Sequence, residues 1–525
     1  MSLELEQRNI SLIKPKGSRV LQMTIDEDIN VPDIKPDIDK ILQSNSVVNI
    51  TGTDVYDSKV LVKGEFGCKV LYVPLNDSKP VHNMISLIPI EETINIDDVS
   101  KSDSIKTEYI IEEMKITPIN TRKINVKSIV QVKVMVDEKK EMYVPTDICG
   151  AEDIQSRWDD ITICKMHTSK KETYKIKDEL AIPSSKPNIM EILWYDRTIK
   201  NKEFRLLDDK INIKGIVALD TLYLGESGEN NLEFVEHEMP FNGVIECNGV
   251  NEDMYYDIDI KIVDDKIQIR PDLDGEERVF SVDIVTQLDI KVYSEEKNSI
   301  LTDVYSLSKE IELEKENVNY ETLLCKNQSQ CKIKETIEMD TNDPDIMQIY
   351  YATGDVNIDN VDVFEDKVEV EGVVFGKILY VAADDNNPIN VYNAVLPFNQ
   401  VIDTEGIRND SRMSIRPSIS YINCSMLGEK EVEVKCGVNL DTIVFDNQEL
   451  NIINGLTETE IDMKKLQNTP SVVGYIVKDN ESLWDIAKTY STKVDDIKAV
   501  NNLDSADVKR GDKLIIVKNI DSLEI

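Results

Sequence analysis

The chain has 525 residues, 41% of them hydrophobic and 30% charged, with a formal net charge of −39. That length is shared among several cores at roughly 150 residues each, and the balance of apolar and charged residues excludes long disorder. A negative field of this size repels phosphate backbones and anionic membranes, so nucleic acid is not an expected partner.

Met1 to Glu6 carry neither a basic n-region nor an apolar h-region, and no run of about 18 apolar residues follows. The chain is therefore expected to stay in the compartment where it is made, without membrane insertion. Its eight cysteines are scattered and include no CxxC pair, the pattern of small buried hydrophobes in a reducing compartment.

From the N-terminus onward the chain repeats itself. Pro36-Asp37-Ile38 returns as Pro187-Asn188-Ile189 and Pro344-Asp345-Ile346. Each proline is followed at a fixed distance by a glycine (Gly64, Gly215, Gly372), then by Leu71-Tyr72, Leu222-Tyr223 or Leu379-Tyr380, and then by Pro89-Ile90, Pro240-Phe241 or Pro397-Phe398. The copies are offset by 151 and 157 residues at all four anchors, which marks a triplicated unit.

Within each copy the residues alternate with the period of a half-buried strand. Ile124 to Val136 answer to Val282 to Val292 and to Val432 to Leu440. Asp274-Gly275 between two such runs predicts a hairpin. Gly64, Gly215 and Gly372 close alternating runs and point to a bulge or a close backbone approach. The proline of each Pro-x-Ile segment suits the first turn of a short helix. The expectation is a mainly β chain of three repeated antiparallel β-sandwich or barrel-like domains, at 15–148, 165–313 and 322–460. Linkers are expected at 146–169, 314–330 and 458–471.

The character changes at 474–517. Tyr475-Ile476-Val477 reads as a strand, Ser482 as the cap of a helix starting at Leu483, Val494 to Val500 as a second helix, and Lys513 to Val517 as a closing strand. This is a small α+β module of order βααβ. Trp484, Ile486 and Tyr490 read as its core. Seven basic and eight acidic residues make it nearly neutral, so the acidity belongs to the body.

Residues Tyr475-x-Val477, Ser482-Leu483-Trp484-x-Ile486-Ala487, Tyr490, Asn501-x-Leu503 and Gly511-x-x-Leu514-x-Ile516 resemble the LysM domain. The triplicate before them resembles the SPOCS domain of spore-coat proteins in endospore-forming Firmicutes, and the whole order resembles the SipL-like clostridial coat morphogenetic proteins. The resemblance implies a non-enzymatic scaffold in the mother-cell cytoplasm, at the forespore surface or spore coat. It implies docking through LysM on the coat basement-layer ATPase (stage IV sporulation protein A), with other coat proteins, or further copies of the chain, meeting the β repeats.

LysM domains also bind N-acetylglucosamine glycans between two loops, which map to Asp479–Leu483 and Leu503–Arg510. A peptidoglycan- or chitin-type glycan is therefore the alternative partner. Asn480 and Glu481 stand where Gly and Asp are common, a departure that favours protein docking. The expected partner-binding residues are Asp479, Asn480, Glu481, Ser482, Leu483, Leu503, Asp504 and Lys509, with Leu503 as an apolar anchor.

Catalytic signatures are not found: no P-loop, no His-Glu-x-x-His, and only an incomplete nucleophile-elbow pattern at Leu224–Gly228. Three histidines (His82, His167, His237) are too few for most zinc or acid–base sites. Asp272-Leu273-Asp274-Gly275-Glu276-Glu277 lacks an EF-hand frame. Neither enzymatic activity, a cofactor nor a metal is expected.

Overall fold

The structure, a computed structural model, describes residues 3–77, 79–150, 153–226, 232–340, 343–384, 389–460 and 470–517. The first unit consists of β1 (Glu4–Asn30), β2 (Ile38–Tyr56), β3 (Lys59–Pro74), β4 (His82–Asn95), β5 (Ser104–Asn120) and β6 (Lys123–Cys149). They form two three-stranded antiparallel sheets, β1-β6-β5 and β2-β3-β4. The second unit repeats the order with β7 (Ile154–Ala181), β8 (Ile189–Leu207), β9 (Lys210–Gly225), β10 (Leu232–Glu246), β11 (Tyr255–Pro271) and β12 (Glu277–Ser306). The third does so with β13 (Lys309–Glu338), β14 (Ile346–Phe364), β15 (Lys367–Ala382), β16 (Ile389–Asp403), β17 (Arg412–Met426) and β18 (Glu431–Glu460). The sheets of the described residues remain separate, so each unit is a sandwich and not a closed barrel.

The alternating runs are the middle strands. Ile124, Val126, Val130, Val132, Val134 and Val136 are all 2% exposed or less, and they meet Val60, Val62, Phe66 and Tyr72 of β3 in one cluster. The same inward faces build the other two cores. Asp274-Gly275 closes the β11–β12 hairpin as expected, with Gly275 at φ +85°. Asp272 Oδ1 accepts the backbone N–H groups of Asp274 and Glu276 at 2.9 and 3.1 Å, so this carboxylate serves the turn.

The repeated anchors have physical duties. The Tyr72 hydroxyl donates to the Pro36 carbonyl at 3.0 Å and Tyr223 to Pro187 at 3.2 Å, pinning the loop before the second strand of its unit. Arg122 and Arg278 bond the Lys35 and Lys186 carbonyls of the same loops at 2.7 and 2.9 Å.

A Cβ on Gly64 would sit 2.4 Å from the Asn49 carbonyl oxygen, and one on Gly372 would sit 2.3 Å from that of Asn357. Gly64→Ala should therefore destabilise by about 1–3 kcal/mol, the range for overpacking a filled site. Chemical denaturation of the full chain measures it.

Two expectations are corrected. No helix follows the Pro-x-Ile prolines: Ile38, Ile189 and Ile346 open strands instead, each 2% exposed. Burying that β-branched side chain against the sandwich outweighs the helical suitability of the proline. The stretches 314–330 and most of 146–169 are not linkers. Lys309–Glu338 is one strand, and β6 and β7 run to Cys149 and from Ile154. The residues look irregular there because both ends of each long ribbon leave the sandwich, and the alternation of its own core lapses. Residues 461–469, within the third expected linker, lie outside the described residues.

Those ribbon ends meet one another. Ile10, Met142 and Val144 of the first unit pack with Ile163 and Ile300 of the second and Ile452 of the third. A second shared cluster gathers Leu71, Leu222 and Leu379, the leucines of the three Leu-Tyr pairs, with Leu193, Trp194 and Tyr351. Tyrosine faces its own unit and the leucine before it faces the neighbours, as strand alternation requires.

Gln43, Trp194 and Tyr351 occupy one repeat position and converge. Asp196 accepts from Trp194 Nε1 at 2.9 Å and from the Tyr351 hydroxyl at 3.0 Å, while Tyr351 also reaches Gln43 Oε1 at 3.5 Å. The Lys291–Asp137 and Arg416–Asp257 pairs, at 3.2 and 2.6 Å, join the second unit to the first and third. Lys377 Nζ donates to the Ser44 carbonyl at 3.0 Å and joins the third unit to the first. Each unit thus touches the other two, in an approximate threefold arrangement within one chain.

Candidate functional site: the C-terminal module

The module consists of β19 (Val472–Ile476), α1 (Leu483–Thr489), α2 (Val494–Asn501) and β20 (Lys513–Val517), the expected βααβ order. Ser482 and Asp485 form a reciprocal capping box at the start of α1. Asn480 takes the left-handed conformation, φ 58°, and Asn502 ends α2 in the same region at φ 55°; asparagine tolerates this better than most residues. Val477, Leu483, Ile486, Ala487, Ile497, Leu514 and Ile516 form the core.

The residues expected to contact a partner have distinct surroundings. Asp479 is exposed and pairs with Arg510 at 2.6 Å, which ties the two loops to each other. Glu481 turns back, accepting the Lys478 backbone N–H at 3.0 Å and the Tyr475 hydroxyl at 2.8 Å. Those two bonds hold its carboxyl below the ordinary value. Ser482 is committed to the helix cap, and Leu483 is 1% exposed in the core. Leu503 is half-buried against the same core. Asn480, Asp504 and Lys509 are exposed.

Two features escaped the sequence reading. The first is the outer face of the β19–β20 sheet, where Val472, Ile476, Ile515 and Val517 are 60, 60, 50 and 39% exposed. Val472 pairs with Val517 and Gly474 with Ile515, so the four side chains share one face. The signal was present: Val472-Val473 and Leu514-Ile515-Ile516-Val517 are apolar without alternation, the pattern of strands covered on both sides.

The second is Trp484, which borders the body as well as the module core. Its Nε1 donates to Asp303 Oδ2 at 2.8 Å, and its ring meets Tyr305 edge-on at 4.9 Å between centroids. Lys488 Nζ pairs with Asp303 at 2.6 Å, and the Tyr305 hydroxyl donates to the Thr492 carbonyl at 2.7 Å. Asp303 and Tyr305 belong to the end of β12, so the module rests on the second unit. Ile486 is core as expected at 2% exposure, whereas Tyr490 is half-buried, edge-on to Tyr475.

Elsewhere, among the described residues, no group of three or more His, Cys, Asp or Glu is placed to hold a metal ion. The three histidines lie apart: His82 is buried, His167 lies beside the Asn248 carbonyl and His237 beside that of Ala181. Ser227 and Gly228 of the elbow-like pattern lie outside the described residues. No helix among the described residues is long and apolar enough to cross a membrane.

Comparison with known families agrees with this architecture. The model described as SipL, SPOCS domain, matches residues 37–119, 188–270 and 345–427, and that of the LysM domain matches 475–517. Each SPOCS match spans the second to fifth strands of a unit and leaves the two long ribbon strands outside. Both are non-catalytic domain families, and together they fit a sporulation coat-related protein. Neither a curated protein nor a solved structure matches the chain.

Proposed function

The chain belongs to the SipL-like proteins, three SPOCS domains followed by a LysM domain, and on that premise we propose that it is a non-enzymatic coat morphogenetic scaffold docking through its LysM module. The partner in this reading is the coat basement-layer ATPase, stage IV sporulation protein A, on the mother-cell side of the forespore. The β units recruit other coat proteins. The observation that carries the docking is the bare apolar face of Val472, Ile476, Ile515 and Val517, on a module whose helix α1 is held against the body. The exposed loop residues Asn480, Asp504 and Lys509 supply further polar contacts in this reading. The Asp479–Arg510 pair, which closes one loop onto the other, favours this reading over a glycan in the groove between them.

Ile476→Glu and Ile515→Glu should each weaken binding to the purified ATPase at least tenfold, about 1.4 kcal/mol, because an isoleucine buried at an interface contributes about 1.5–3 kcal/mol. Both side chains point away from the module core, so circular dichroism melts should be unchanged. Wild-type ATPase affinity in both variants would refute the docking face. Retention of chitin oligomers by the parent chain, lost on Asp479→Ala, would favour the glycan alternative.

A further inference from the structure

The three repeats meet at equivalent junctions, and the one between the first and second units holds a cavity of about 310 Å³. Its floor is the outer face of the β2-β3-β4 sheet. The strand register sets Val47, Gly67 and Leu87 in one row and Asn45, Lys69 and Ile85 in the next. Tyr195, Arg197 and Asp265 of the second unit form the facing wall. Val47, Ile85 and Leu87 are 39, 57 and 62% exposed, a shelf of branched aliphatic side chains left to water.

Comparison of the repeats shows what this shelf lacks. The row Val47–Gly67–Leu87 corresponds to Thr198–Ala218–Glu238 in the second unit and to Asp355–Phe375–Val395 in the third. Where the third unit lays a phenylalanine, the first has no side chain. Gly67 is not forced by its backbone: an added Cβ would lie 3.5 Å from Leu87 Cδ2 and 3.6 Å from the Val47 carbonyl oxygen, ordinary contacts. Gly64, three residues earlier, has no such room.

Beside the gap stands Lys69, two residues along the strand, as Lys377 stands beside Phe375. Its Nζ donates to the Tyr195 carbonyl at 3.1 Å and lies 3.5 Å from the Tyr195 ring centroid. Lys69 forms no ion pair among the described residues. Of the four carboxylates in the lining, Asp265 is engaged by Arg197 and by the Tyr195 hydroxyl, each at 2.6 Å, and Asp196 by Trp194 and Tyr351, while Glu65 and Asp264 lie exposed at the rim, where water screens them. Burial pushes the Lys69 ammonium down to about 8. An ammonium has three N–H donors, and here a single carbonyl accepts.

Going beyond the LysM docking, we propose that this junction is a groove for an extended peptide segment of a partner protein carrying an aromatic side chain next to a carboxylate. The ring takes the position over Gly67 that Phe375, itself 44% exposed, occupies on the third unit, and the carboxylate meets Lys69.

The test is calorimetric titration of the full chain with acetyl-Phe-Asp-amide, acetyl-Phe-Lys-amide and acetyl-Ala-Asp-amide. The first should bind at least tenfold more tightly than either of the others. Gly67→Phe fills the gap from within and should cost at least tenfold in affinity with the melting temperature unchanged. Lys69→Met should abolish the preference for Asp over Lys, and in the parent that preference should decline as pH rises through 8, where the ammonium loses its proton. Equal affinity for the three dipeptides, or parental affinity in a folded Gly67→Phe variant, overturns the proposal. So does a parent dimer that Gly67→Phe converts to monomer in light scattering, because the groove's occupant would then be a second copy.

Discussion

Trp194→Ala is expected to destabilise the chain by about 3–5 kcal/mol, the range for truncating a large buried aromatic residue, and to do so at the junction of the three units. Trp194 is 1% exposed and lies where the units converge, with Leu71 of the first and Tyr351 and Leu379 of the third in its cluster. Its removal opens a cavity that belongs to no single sandwich. It also takes one donor from the buried Asp196 carboxylate, which keeps the Tyr351 hydroxyl. The loss therefore falls on the association of the units more than on their internal folding. Urea denaturation should show a lower midpoint, and amide exchange should rise at the shared clusters while the strands Ile124–Val136 and Val282–Val292 stay protected. Unchanged exchange at Leu71, Leu222 and Leu379 would contradict convergence of the repeats.

Asp303→Ala should release the LysM module from the second unit at a cost of about 3 kcal/mol, toward the lower end for breaking a buried pair. The carboxylate side chain is only 7% exposed and holds both Lys488 and the Trp484 indole, while Lys488 itself can turn to water. Burial by itself would raise the Asp303 carboxyl, but the hydrogen bonds from Lys488 and Trp484 outweigh it and leave the carboxyl below its ordinary value. A depressed carboxyl contributes its stability in full above the ordinary carboxylate range and loses it as pH falls through the depressed value. Acid should therefore undock the module, and Asp303→Ala should remove this pH dependence. Proteolysis between Glu458 and Ser471, with amide exchange in α1, measures both. Equal cleavage rates in parent and variant would show that this contact does not hold the module.

The module was legible almost residue by residue. Ser482, Asn480, Asn502 and the apolar positions of α1 act within a few residues of themselves, through capping, turn geometry and helical periodicity. The repeat strands were legible for the same reason. The partner-facing surface was less so: Leu483, expected at a contact, turned inward, because the first apolar position after the cap points at the sheet. The outward Ile476 and Ile515 are chemically indistinguishable from core residues, and only their exposure in the folded module marks them as surface.

Sequence alone determined the three copies, their β character, the strand period and the LysM module, since each is written in local spacing or in exact recurrence along the chain. Tertiary structure decided what lies between the copies. Leu71, Leu222 and Leu379 recur as faithfully as the tyrosines beside them, yet recurrence does not say whether a side chain faces its own sandwich or its neighbours. Strand alternation gives two faces and no name for either. Asp303 and Trp484, 181 residues apart, meet only because the ribbon of the second unit extends to the module. A contact between elements distant in sequence depends on how whole sheets pack, and no local pattern encodes it.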